Sequence, residues 1–146
     1  MAKKHKHPKF AKDPIAAKAA LYAHPPSFHG AVLAWRFNAV DRGGPFAWSN
    51  LTDPAHYKAA VEKLAGFEVM SEADLSAAGC HAIPLEHLSK AAQHRLIELE
   101  LDDLDALYSF RLTGKARVFG VARHHYLRVL WYDPDHLVCS SHKKHT

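Results

Sequence analysis

Apolar and polar positions change their rhythm once along this chain, near residue 107. Before it the apolar residues recur mostly at helical spacing; after it they run at the spacing of strands. The first regular segment, residues 30–40, is an exception. There Leu33, Trp35 and Phe37 alternate with Ala34, Arg36 and Asn38, which predicts a strand with the two aromatic rings on its buried face. Asp41, Gly43, Gly44 and Pro45 end it with turn residues. Asp53 followed by Pro54 supplies a helix N-cap and a proline in the first helical position. Tyr57, Ala60, Val61 and Leu64 follow at i, i+3, i+4 and i+7, and Gly66 closes the pattern. Ser71 and Asp74 have the spacing of a capping box, so a second, short helix is expected to run to Gly79. A third helix is predicted over 86–100, with Leu88, Ala92, Leu96 and Leu99 on one face and an acidic segment, 98–105, leading out of it.

From there the pattern predicts a meander. Residues 108–113 and 116–121 flank Gly114 and Lys115, a two-residue loop whose leading glycine suits a type II′ turn. Arg123, His124 and His125 form the next turn, and 126–132 is a continuous apolar run expected to be a central strand. Asp133, Pro134, Asp135 and His136 turn the chain again, toward a short edge strand at 137–140. The predicted order is β-α-α-α-β-β-β. This is an α+β domain, with the helices on one face of a four-stranded, mainly antiparallel sheet. Residues 28–146 form that single domain. Residues 1–27, interrupted by Pro8, Pro14, Pro25 and Pro26, read as a basic, flexible tail.

Charge sharpens this picture. Residues 1–20 carry six lysines against one aspartate, and 107–146 carry seven cations against two anions, within a chain of net charge +4. The segment between them must be acidic, so the surface is polarised rather than uniformly basic. Thirteen histidines hold further positive charge in reserve below about pH 6.5. No run is long and apolar enough for a membrane span, and no apolar stretch follows the basic opening residues. The expectation is a cytoplasmic protein without membrane contact. Two cysteines, Cys80 and Cys139, fit a reducing compartment better than a disulfide framework. No metal or cofactor is expected. Cys80, His81, His87, His94, Cys139 and His142 lack ligand-pair spacing, and no glycine loop opens a helix as nucleotide binding requires.

The basic meander, with Ser109, Phe110, Arg111, Leu112, Thr113, Gly114, Lys115, Ala116, Arg117 and Val118 in sequence, then Tyr126 to Leu130 and a terminal His142, Lys143 and Lys144, resembles the RelE/ParE superfamily of bacterial toxins. The resemblance covers 107–146 in motif and 30–146 in element order. The chain departs from the pattern by its tail, its extra helix and the 41–52 loop. The resemblance implies a toxin of a toxin-antitoxin system, bound by a cognate antitoxin protein, that cleaves mRNA at the ribosome without metal. Arg117, His125, Tyr126, Arg128 and His142 would then be catalytic, since such cleavage needs a base for the 2′-hydroxyl, cations for the phosphorane and an acid for the leaving oxygen. Arg111, Lys115, Arg123, Lys143 and Lys144 would bind the nucleic acid. Other members of the same superfamily instead inhibit a replication protein, and a fold does not choose between the two. For that alternative, a toxin acting on gyrase or the sliding clamp, the partner-binding residues would be Phe46 and Trp48 in the loop, with Gln93 and Leu96 in a segment loosely like a clamp-docking peptide. Solvated arginines on an open sheet face would give the same sequence pattern as a binding site.

Overall fold

The structure is a computed structural model that describes residues 33–123 and 126–140. The predicted tail, His124, His125, His142, Lys143 and Lys144 lie outside these residues. The elements are β1 (Ala34–Arg36), α1 (Pro54–Phe67), α2 (Glu72–Ala77), β2 (His81–Pro84), α3 (Lys90–Glu98), β3 (Ala106–Arg111), β4 (Arg117–Arg123) and β5 (Tyr126–Asp133), with 3₁₀ turns at Trp48–Asn50 and Leu85–His87. The fold is α+β, as the sequence pattern predicts. The sheet has five strands rather than four, in the order β1-β5-β4-β3-β2. β1 pairs with β5 in parallel and the other pairings are antiparallel.

Local chemistry explains the helix boundaries. The Asp53 carboxylate accepts from the Ala55 amide ahead of Pro54, and Ser71 and Asp74 close a full capping box. The third helix begins later than its apolar pattern suggests. Ser89 is its N-cap, accepting from the Ala92 amide, and Leu85–His87 is a separate 3₁₀ turn. Ahead of that turn the short run His81–Pro84 is a strand, paired antiparallel with β3. It has only four residues and ends in proline, so it carries too little alternation to stand out from a loop.

The helices do not share one face. Ala60, Leu64 and Phe67 of α1 and Leu75 of α2 pack with Tyr108, Phe110, Val118, Leu127 and Val129 on one side of the sheet. Ala92 and Leu96 of α3 pack with Leu107, Phe119, Val121 and Trp131 on the other. The prediction of helices on a single face is therefore corrected. The reason is visible in the strands: Leu107, Tyr108, Ser109 and Phe110 are consecutive and all buried, which requires cover on both sides. The continuous apolar run of β5 has the same cause. It lies between β1 and β4, and β4 is the middle strand.

Two irregular features fix how the layers meet. Between Phe119 and Gly120 the β4–β5 register shifts, leaving an extra residue on β5. A Cβ at Gly120 would stand 2.5 Å from the Arg128 carbonyl oxygen, so only glycine admits this close approach. Past the short β1, the loop of residues 37–51 takes over the edge of β5. Asp41 donates its amide to the Leu130 carbonyl and Tyr132 donates to the Phe46 carbonyl. The predicted edge strand at 137–140 is absent. Instead the Asp133 carboxylate, 1% exposed, accepts from the amides of Leu137 and Val138 and pulls Val138 into the core.

Candidate nucleic-acid interface

Residues opposite one another in a sheet share a face, as do alternate residues along a strand. Phe119 and Val121 belong to the α3 side, so Arg117 and Arg123 on the same strand point there too. Register extends the set. Arg111, Arg117 and Asp133 form one row across β3, β4 and β5. At the other end Arg123 stands opposite Tyr126, and Val121, Arg128 and Arg36 form the next row, reaching β1. All five arginines thus lie on the face that α3 covers only in its middle. Along β4, Arg117 and Arg123 are roughly 20 Å apart at about 3.3 Å per residue. The cations that the sequence suggested as one site are two corners.

The Tyr126 corner contains Arg36, Arg123, Tyr126 and Arg128. The Arg36 guanidinium carbon sits 5.4 Å from the centre of the Tyr126 ring, a cation–π distance. Arg123 is half-buried and donates to the Ala122 carbonyl at 3.4 Å. The Arg128 Nε is buried and has no hydrogen-bond partner among the described residues. Burying such a donor unpaired costs of order 1–3 kcal/mol, more for a charged group. Sequence reasoning missed Arg36 because it stands about seventy residues before the meander; only the parallel pairing of β1 with β5 brings it in.

The Arg117 corner contains Arg111, Arg117, Asp133 and His136. Arg117 donates one nitrogen to the carbonyls of Gly114 (2.8 Å) and Ala116 (3.0 Å), which fixes its head over the hairpin turn. Burial, and then the facing Arg111, draws its pKa below the usual arginine value. His136 has φ +58°, a left-handed conformation that is strained outside glycine. Burial most of all, then Arg117 and Arg111 against the opposing pull of Asp133, holds its imidazole below the ordinary histidine pKa. In the sequence His136 reads only as a turn residue. Its position just after the strand that carries Arg128 and Asp133 is the signal that could have found it. Lys115 is exposed at the hairpin tip.

Among the described residues, Arg95 is the arginine with carboxylate partners, Asp41 and Glu98. No carboxylate of the described residues lies within 4 Å of the five arginines on this face. Of the proposed catalytic set, Tyr126 and Arg128 come together, Arg117 stands at the far corner, and His125 and His142 lie outside the described residues. Two of the four proposed partner-binding residues, Phe46 and Leu96, are internal, and Trp48 and Gln93 are half-buried. Phe46 is 5% exposed against Trp131, Leu96 is 1% exposed, and Gln93 donates to the Leu88 carbonyl. Trp48 is half-buried, edge-on to Phe37 and Tyr132. Sequence reasoning placed Phe46 and Trp48 in a loop and left open whether it folds back or meets a partner, because the pairing of that loop with β5 leaves no local trace. Among the described residues no helix is long and apolar enough to cross a membrane. Comparison with protein-family models, with curated proteins and with solved structures finds no match.

Proposed function

We propose that this chain is a toxin-like protein of the RelE/ParE kind, acting in the cytoplasm with a cognate antitoxin, whose α3-side sheet face holds the phosphate backbone of mRNA at the ribosome for metal-independent cleavage. The observation that supports this reading is the set of five arginines on one sheet face with no carboxylate partner among the described residues. Unpaired cations held by strands and spread over two corners suit a run of phosphates better than a single small anion. An aromatic ring between arginines adds a stacking surface for a base. The replication-protein reading drew on Phe46, Trp48, Gln93 and Leu96. With Phe46 and Leu96 in the core, no observation favours it.

The test is binding of a single-stranded RNA oligonucleotide, followed by fluorescence anisotropy at several salt concentrations. Arg36→Glu with Arg123→Glu, at side chains outside the core, should lower affinity by about tenfold or more. It should also flatten the salt dependence by roughly one slope unit per lost phosphate contact. Wild-type affinity and slope in the double variant would sink the reading.

A further inference from the structure

We infer that the apolar groove between β1 and α1 is a docking site for the chain's own residues 14–22, which lie outside the described residues. They enter it as a short helix, with Ile15, Ala19 and Tyr22 against Phe37 and Val61 and with Lys18 beside Glu68. This goes beyond the RNA reading and does not rest on it.

Three observations carry it. First, the fold leaves an apolar stripe uncovered. Of the four residues whose spacing marks the inner face of α1, Ala60 and Leu64 are buried, but Tyr57 and Val61 are not, and Val61 is 57% exposed. Between this stripe and the edge strand β1 lies a groove of about 270 Å³, with Trp35, Phe37, Val61, Leu64 and Glu68 in its lining. Its walls are held in place before any occupant arrives. The Trp35 indole donates to the Leu64 carbonyl at 3.1 Å and packs on Phe67 and Phe110, and Phe37 stands edge-on to Trp48. Second, residues 13–22 carry the signals of a helix too short to stand alone. Asp13 with Pro14 repeats the pair Asp53 and Pro54 that caps and opens α1. Ile15, Ala19 and Tyr22 follow at i, i+4 and i+7, Lys18 is the one polar residue of 15–22, and Pro25 and Pro26 stop the pattern. Helices below roughly 12 residues are marginal in water unless packing covers their apolar side. The prolines that make 1–27 read as a tail therefore also bound a segment with an apolar side to bury.

Third, reach and charge both fit. Leu33 is buried with Leu64 and Phe67, so the chain enters β1 on the α1 side, beside the groove. Residues 23–32 span up to about 33 Å, against about 21 Å for the 14 residues of α1, so the segment reaches any point along the helix. Residues 1–20 carry six lysines against one aspartate. Residues 53–74 are acidic, with Asp53, Glu62, Glu68, Glu72 and Asp74 against Lys58 and Lys63. Glu68, in the lining of the groove, has no ion-pair partner among the described residues. A second copy of the chain or a foreign peptide competes for the groove at a disadvantage, because a link this short holds its own segment there at an effective concentration of order millimolar. Docked in this way, 14–22 anchors the basic tail on the side of the sheet opposite the five arginines.

The experiment is limited trypsin digestion of the full chain, with cleavage after Lys18 and after Lys9 followed by mass spectrometry. Trypsin cuts the undocked backbone, so the Lys18 rate follows the undocked fraction, and Lys9, outside the segment, is the internal reference. Val61→Lys puts a charge on the exposed wall of the groove, and Ile15→Asp alters the segment without touching α1. Each should raise the Lys18 rate relative to Lys9 by about tenfold or more, equivalent to about 1.4 kcal/mol of docking. Glu68→Lys should raise it by about threefold, the scale of a partly exposed charge pair. Where Val61→Lys unfolds the domain, Ile15→Asp decides: a faster Lys18 cut upholds the docking and an unchanged one overturns it. A Lys18 rate unmoved in all three variants would overturn it as well. Protection that disappears on tenfold dilution, with sedimentation giving two chains, would assign the groove to a second copy and overturn docking within the chain.

Discussion

Arg95 and Arg117 lie on the same side of the sheet and have opposite circumstances. The Arg95 guanidinium meets Asp41 through Nε at 2.8 Å and Nη2 at 2.7 Å, and its third nitrogen reaches Glu98. Asp41, 3% exposed, also accepts from the Trp131 indole and the Gly43 amide. Its four donors join α3, β5 and the loop that covers the edge of β5. Burial alone would raise the Asp41 pKa; the bonds from Arg95, Trp131 and Gly43 outweigh it and hold the carboxyl below its ordinary value. The same contact, followed by that with Glu98, drives the Arg95 pKa upward. Arg117 instead faces another arginine and spends its hydrogen bonds on carbonyls of its own turn. A charge satisfied within the fold is a structural device, because removing Arg95 leaves Asp41 buried without its cation, and removing Asp41 strands the Trp131 N–H and leaves Arg95 with Glu98 alone. A charge with no carboxylate in hydrogen-bond contact, as at Arg117 with Asp133 acting only from across the row, is held less tightly by the fold and is available to a ligand.

The largest expected effect tests the first half of this contrast. Asp41→Ala should cost about 1–3 kcal/mol, measured by urea unfolding, because the buried Trp131 N–H and two Arg95 nitrogens lose their acceptor together while Arg95 keeps only Glu98. Arg111→Gln should change stability by less than about 0.5 kcal/mol, with relief of repulsion from Arg117 set against lost stem contacts. Equal losses at the two positions would erase the distinction.

Acid should separate the two regions next. The folded pKa of Asp41 is below the 3.8 of the free group, so the unfolded chain takes up that proton first. The stability it contributes is present above pH 3.8 and is lost as pH falls through the folded value. His136 is also held below its free value, 6.5, and again the unfolded chain binds the proton first. Its effect is a penalty that sets in as pH falls below about 6.5. Unfolding free energies measured from pH 8 to pH 2 should therefore drop less between pH 7 and 5 in His136→Gly than in the wild type, with the loss that sets in below pH 3.8 retained. The reverse pattern would mean that the two groups have been given each other's roles.

The smallest effect sets the baseline. Lys58 and Glu62 form an exposed i, i+4 pair at 3.9 Å, with both side chains more than two-thirds exposed. Lys58→Ala should change the melting free energy by less than about 0.5 kcal/mol. A larger change would show that surface charge on α1 matters to the fold in a way that the contrast between Arg95 and Arg117 leaves out.

The sequence by itself determined what depends on neighbours within a few residues. The caps at Asp53 and Ser71 are where they were expected, and Gly114 has the positive φ that its turn requires. The change of rhythm near residue 107 marks the start of three consecutive strands, and no helix occurs among the described residues of 116–132. These are short-range bonds and side-chain periods, so they are written in adjacent letters. Tertiary structure alone decided which segments meet. It placed β2 on the edge of β3, divided the helices between two faces, drew the 41–50 loop along β5, and paired Asp41 with Arg95, fifty-four positions away. It also sorted the arginines. Their alternation was legible, but not that Arg36 would join them through a parallel strand, nor that Arg117 and Arg128 would stand at different corners. The physical reason is register: the face and the row of a side chain are set by which strand it lies against and by each shift in that pairing, such as the one at Gly120. Those pairings are chosen by the packing of the whole domain.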